Sequence, residues 1–224
     1  MLYAAGIKDK RSMKNDPHVG IASVWWEGNP CMALPTAIVK TLRSLTLVLG
    51  NNHLLALGQH VKAAVEKSDM IGWQYNTIGV SDAITMGGEG MRFSLQTREI
   101  IADSIETVTC AQFHDACIAI PGCDKNMPGA ITAFSRHNRP SIMIYGGTIK
   151  PGYSETLRKP INISTCYEAH GAFLYDTLKS EADPSLTKDD IMSDIEQHAC
   201  PGSGACGGMV SDLLVRREVM LILL

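Results

Sequence analysis

Charge and aromatic surface are scarce in this sequence: 19% of its 224 residues are charged and 6% are aromatic, where roughly a quarter charged is usual for a soluble domain. No basic excess exists. The 20 Lys and Arg against 23 Asp and Glu leave a formal charge of −3, so neither nucleic acid nor an anionic membrane surface is expected as a partner. Long hydrophobic runs are missing too, because stretches such as Val219 to Leu224 fall far short of the roughly 20 residues that a bilayer demands. The seven cysteines, at 31, 110, 117, 123, 166, 200 and 206, are odd in number and scattered, which excludes a disulfide framework and reads as a reducing compartment. Residues Met1 to Ile7 lead straight into Lys8-Asp-Lys-Arg11, the pattern of neither a signal peptide nor an acid-poor transit peptide. Internal repeats and low-complexity tracts are absent. What the chain does have is 45% apolar residues, enough to bury a sizeable core and to exclude disorder for the bulk of its length.

Short apolar runs alternate with longer amphipathic ones from Val19 to Tyr145, which predicts an α/β fold with a mainly parallel sheet flanked by helices. Strands are expected at Val19–Trp25, Tyr75–Val80, Cys117–Ile120 and Ser141–Tyr145. Phe93, Ile100, Ile101, Ile105 and Val108 recur at helical spacing, and a shorter helix runs from Pro128 to His137. Later helices are expected over Ser164–Lys179 and Thr187–Ala199, the second opened by a capping-box-like Thr187-Lys-Asp-Asp190. The chemistry-bearing residues fall just after the strands: Cys31 after the first, Ser81-Asp82 after the second, Gly122-Cys123-Asp124-Lys125 after the third, Gly146-Gly147 after the fourth. In open α/β sheets that edge is where ligands bind. A further loop, Cys200 to Gly208, brings Cys206.

Cys31, Cys123 and Cys206 each sit in a Gly/Pro-rich turn, where backbone N–H groups favour a thiolate and hence a soft-metal ligand. Their spacing is that of neither a zinc ribbon nor a ferredoxin. A set of three suits a cluster with one iron open to substrate; the alternative is that each is a small buried hydrophobe. Asp82 and Asp124 are hard oxygen ligands that could share a Mg²⁺, or Asp82 could cap the helix that follows it. Lys125 is either a cation paired with Asp124 or, once carbamylated, an anionic oxygen ligand. Met86-Gly-Gly-Glu-Gly-Met91 matches no phosphate-loop pattern. His114, His137 and His198 read as surface or capping residues, and Cys110, Cys117 and Cys166 as core.

At Pro30-Cys31, Ser81-Asp82-Ala-Ile-Thr-Met-Gly87, Pro121-Gly-Cys123-Asp124-Lys125-Asn-Met-Pro-Gly129, Tyr145-Gly-Gly-Thr148 and Cys200-Pro-Gly-Ser-Gly-Ala-Cys206-Gly-Gly-Met209 the chain resembles the dihydroxy-acid dehydratases, fungal members above all. The resemblance spans residues 1–31 and 51–209. It implies a hydro-lyase that converts 2,3-dihydroxy acids to the 2-keto acids of valine, leucine and isoleucine biosynthesis. It implies an iron–sulfur cluster on Cys31, Cys123 and Cys206, [2Fe–2S] rather than [4Fe–4S], and Mg²⁺ on Asp82, Asp124 and a carbamylated Lys125. Mg²⁺ would then bind the substrate carboxylate and 2-hydroxyl while the open iron takes the 3-hydroxyl. A mitochondrial location, a homodimer, and a serine base from a β-rich C-terminal domain that follows the family's N-terminal one are further implications. The sugar-acid dehydratases and a non-catalytic metal-binding or interaction fragment are the alternative readings. Residues 32–50 read as an insertion into the N-terminal domain of 1–209, and 210–224 as a tail foreign to the family; both abut cluster ligands, as an unspliced intron or a frameshift would. The chain as written is therefore expected to lack activity by itself.

Overall fold

The computed structural model describes residues 2–26, 53–180, 182–201, 204 and 222–223. Cys31, Cys206, the stretch 32–50 and most of 210–224 lie outside the described residues. After a 3₁₀ turn at Leu2–Ala5 and helix α1 (Lys10–Asn15), the order is β1 (His18–Ser23), α2 (His53–Lys67), β2 (Ile71–Asn76), α3 (Asp82–Thr85), α4 (Met91–Ala111), β3 (Ala116–Ile120), α5 (Asn126–His137) and β4 (Ser141–Met143). The hairpin β5 (Gly152–Ser154) and β6 (Lys159–Ile161), helices α6 (Ile163–Leu174) and α7 (Lys188–His198), and β7 (Ile222–Leu223) complete it.

The main sheet has the order β2-β1-β3-β4-β7. The first four strands are parallel to their neighbours and β7 pairs antiparallel with β4, so the expected α/β architecture is present. One face carries Ala22, Cys117 and Ala119, packed under Ile101, Ile105, Met127, Ala130 and Phe134 of α4 and α5. Small strand residues let those helices sit close. The other face carries Val19, Ile21 and Ile120 against Leu54 and Val65 of α2. Alternating strand residues thus feed opposite layers, as the period-2 geometry of a strand requires. Burial pushes the Cys117 thiol up to about 12 and keeps it inert. A smaller core of Ile161, Ala169, Ile191 and Ile195 holds the hairpin to α6 and α7.

Several expectations are corrected here. The second strand is Ile71–Asn76 rather than Tyr75–Val80: it is the edge strand, only partly buried, so it lacks the apolar run that marks an inner strand. The helix expected to run to Lys179 ends at Leu174, because Asp176 takes a left-handed backbone (φ 56°) and Thr177 N turns back to Ala172 O. On α4 the buried face is Ser94, Thr97, Ile101, Ala102, Ile105 and Thr109, while Phe93 and Ile100 point outward. His114 and His137 are buried rather than superficial, and desolvation lowers both pKa values. Cys110 is exposed, not core. The capping box of Thr187 with Asp190 is present.

Candidate metal centre

Because β1 to β4 run parallel, the segments leaving β2, β3 and β4 emerge at one edge of the sheet. The chain passes from β1 outward to β2 and then back across to β3, so the direction of winding reverses between β1 and β3. In open α/β sheets such a reversal is the place where ligands bind. Cys123 follows β3, one of the two strands at this reversal; Cys31, which follows β1 in sequence, lies outside the described residues. Gly146 N donates to Pro121 O at 3.2 Å, which ties the β4 exit to the Cys123 loop. Gly204, two residues before Cys206 in sequence, is buried against Ile149; a Cβ there would lie 2.5 Å from Ile149 N. Glycine is required for so close an approach.

Asp82 is the first residue of α3, with Ser81 as its N-cap, so the capping alternative for Asp82 is not what its side chain does. Its Oδ2 accepts from Lys125 Nζ at 2.7 Å, and Lys125 also contacts Asp124 Oδ2. The two carboxylates therefore meet at one cation. Asp82 Oδ1 accepts from Ser94 Oγ on α4. Burial pushes the Asp82 pKa up, but the bonds from Lys125, Ser94 and Asp124 outweigh it and hold the carboxyl below its usual range. Desolvation likewise opposes the charge on Lys125, and the two carboxylates overcome it and raise that pKa. Two convergent carboxylate oxygens suit a hard divalent cation, and the lysine ammonium at their meeting point marks the spot as cation-seeking. Among the described residues no group of three or more His, Cys, Asp or Glu is gathered as a metal site; a third ligand would have to come from Lys125 itself or from elsewhere.

Cys123 is 2% exposed and lies in the turn before α5, its carbonyl accepting from Asn126 N at 3.0 Å. The other two cysteines expected with it, Cys31 and Cys206, lie outside the described residues. Asn126 beside it is fully buried, with a side-chain amide that has no hydrogen-bond partner among the described residues. Such an unpaired buried amide is rare in a folded protein, and it lies on the side of Gly79, whose Cβ would be 3.4 Å from Asn126 Nδ2. Sequence reasoning passed over both Ser94 and Asn126. The first hides on the polar inner side of α4, whose apolar residues drew attention to the wrong face; the second sat in plain view inside the Cys123-Asp124-Lys125 motif. A cavity of about 830 Å³ opens at the opposite, amino end of the strands between His18, Trp73, Phe113 and His114. None of the expected site residues line it.

The family described as "Dihydroxy-acid/6-phosphogluconate dehydratase N-terminal" matches residues 16–211. The chain is 49% identical over 210 residues to the mitochondrial dihydroxy-acid dehydratase of Schizosaccharomyces pombe, and 46% identical over 213 residues to that of Saccharomyces cerevisiae. It is 46% identical over 209 residues to the chloroplastic dihydroxy-acid dehydratase of Arabidopsis thaliana. Each match covers 93% of this chain, but the chain spans only about 30% of the length of these relatives. The chain belongs to the dihydroxy-acid/6-phosphogluconate dehydratase N-terminal family.

Proposed function

We propose that the chain is the N-terminal, metal-holding part of a hydro-lyase that dehydrates 2,3-dihydroxy acids to the 2-keto acids of branched-chain amino-acid biosynthesis. The observation that carries this reading is the meeting of Asp82 and Asp124 at Lys125, at the ligand-binding edge of a parallel sheet. The names of the relatives support the reaction, and those of the fungal ones support a mitochondrial setting.

In this reading Asp82 and Asp124 each offer one oxygen to Mg²⁺, and Lys125 joins them once carbamylated. Ser94 holds Asp82 Oδ1, which leaves Oδ2 turned to the metal side. Cys123, with Cys31 and Cys206, would hold an iron–sulfur cluster, [2Fe–2S] rather than [4Fe–4S]. When bound, the two groups supply Lewis acidity, Mg²⁺ at the substrate carboxylate and 2-hydroxyl and the cluster at the departing 3-hydroxyl. No residue of this chain is assigned to take the C2 proton; a serine in the family's C-terminal domain fills that role, and the working unit is a homodimer.

The test is turnover of 2,3-dihydroxyisovalerate, read as the 2-keto acid. A full-length protein carrying residues 1–31 and 51–209 of this sequence is expected to turn it over, and its Asp124→Ala variant to lose about 100-fold or more. Equal rates with and without Asp124 would remove the metal reading.

A further inference from the structure

The small core that holds the β5–β6 hairpin to α6 and α7 carries two sulfurs. Cys166, on α6, and Cys200, just past the end of α7, both pack against the cluster of Ile161, Ala169, Ile191, Ile195 and Ala199. Ala169 lies three residues on from Cys166 and so shares its face of the helix, and Ala199 immediately precedes Cys200. Both thiols are free and half-buried, and they are near enough to act on each other. Burial, then the charge of Cys200, then that of Glu196 push the Cys166 thiol up to about 11. The backbone on either side is held by the hairpin. Helix α6 starts directly after β6 with a capping box of Asn162 and Thr165, and a Cβ on Gly152 of β5 would lie 1.7 Å from His198 O and 3.4 Å from Ala199 Cα. Cys117 and Cys123 are buried and Cys110 is exposed, and none of the three packs on this core.

We propose that Cys166 and Cys200 form a modification site, a dithiol that a low-molecular-weight disulfide such as oxidised glutathione converts to a bridge between α6 and the end of α7. The site uses none of the residues of the metal reading and stands apart from it. Cys166 is held protonated at neutral pH, so the first attack falls to Cys200: its thiolate displaces one thiol from the reagent and is left as a mixed disulfide. That step removes the charge that opposed ionisation of Cys166, whose thiolate then displaces the second thiol and closes the S–S bond. Two protein thiols are oxidised, the reagent disulfide is reduced to two thiols, and both protons leave with them. The bridge closes the chain over residues 166–200, which restricts the unfolded chain and fastens α6 to α7.

The experiment treats the 224-residue chain with oxidised glutathione, blocks the remaining thiols with iodoacetamide in denaturant, and maps the peptides by tandem mass spectrometry with and without reduction. Cys110→Ser, Cys166→Ser and Cys200→Ser variants are treated alike. Parent and Cys110→Ser are expected to give a peptide that links Cys166 to Cys200, and to melt about 5 °C higher oxidised than reduced. Cys166→Ser and Cys200→Ser are expected to show neither the linked peptide nor the shift. If a serine variant does not fold, the linked peptide and melting shift of the parent answer alone. Glutathione left on Cys200 with Cys166 alkylated, a bridge from either one to another cysteine, or an oxidised parent that melts no higher than the reduced one would overturn the inference.

Discussion

Asp82 is asked to do two things at once, and Ser94 is what lets it. With Oδ1 tied to the buried Ser94 hydroxyl, the carboxylate cannot rotate freely, and Oδ2 is left to face Asp124 and Lys125. A partner of that kind behind a metal ligand is usually worth 10–100-fold in metal affinity. Ser94→Ala is accordingly expected to weaken Mn²⁺ binding, measured by electron paramagnetic resonance titration, by about tenfold or more, with little change in helix content. The pair of aspartates and Lys125 was legible in the sequence from their place after strands. Ser94 was not, because a serine inside a helix shows no periodic signal, and only the three-dimensional return of α4 over α3 brings it to Asp82.

Helices and strands were readable where apolar period and caps agreed, and misread where an edge or a polar inner face broke the pattern. The central strands β1 and β3 sit within a residue or two of their expected bounds, whereas edge strand β2, half exposed, was shifted toward the apolar Thr77-Ile-Gly-Val80. Close packing of α4 on α5 depends on a residue whose smallness no periodicity reports. A Cβ on Gly129 would lie 3.0 Å from Arg98 O and from Ile101 Cβ and Cγ2. The backbone carbonyl cannot move without shifting α4, so Gly129→Ala is expected to cost about 1–2 kcal/mol in urea unfolding despite alanine's better helix propensity.

Helix α7 is fastened to the β5–β6 hairpin by Asp194. Its Oδ2 accepts from Ser154 Oγ at 2.6 Å, Thr156 Oγ1 at 2.7 Å and Thr156 N at 3.1 Å, while His198 Nδ1 lies 2.9 Å from Oδ1. Burial raises the Asp194 pKa, and these bonds more than reverse it, so the folded value lies below the usual one. A depressed carboxyl stabilises the fold fully above its unfolded pKa of roughly 3.9, and that contribution is lost as pH falls through the folded value. Asp194→Ala is expected to lose about 2–3 kcal/mol at neutral pH. The gap to the parent should narrow below about pH 4, as thermal melts across a pH series would show. A gap constant with pH would mean that the charge of Asp194 is not what holds α7.

At the scale of the whole molecule, topology does what no single motif can. Residues far apart in sequence meet because parallel strands deliver their exits to one edge. That convergence was legible from the position of each motif after a strand, while the extent of the sheet was not: β7 at Ile222–Leu223 pairs with β4 from within a tail that bore no strand signal in context. The chain spans about 30% of the length of its relatives, and the proposed chemistry divides between metal ligands here and a base in the family's C-terminal domain. The most direct test of that division is a Mn²⁺ titration of the 224-residue chain in bicarbonate buffer, followed by electron paramagnetic resonance beside its Asp82→Ala and Asp124→Ala variants. One bound Mn²⁺ per chain, lost in both variants, is the result expected; equal binding by all three proteins, or none by the parent, would contradict the account.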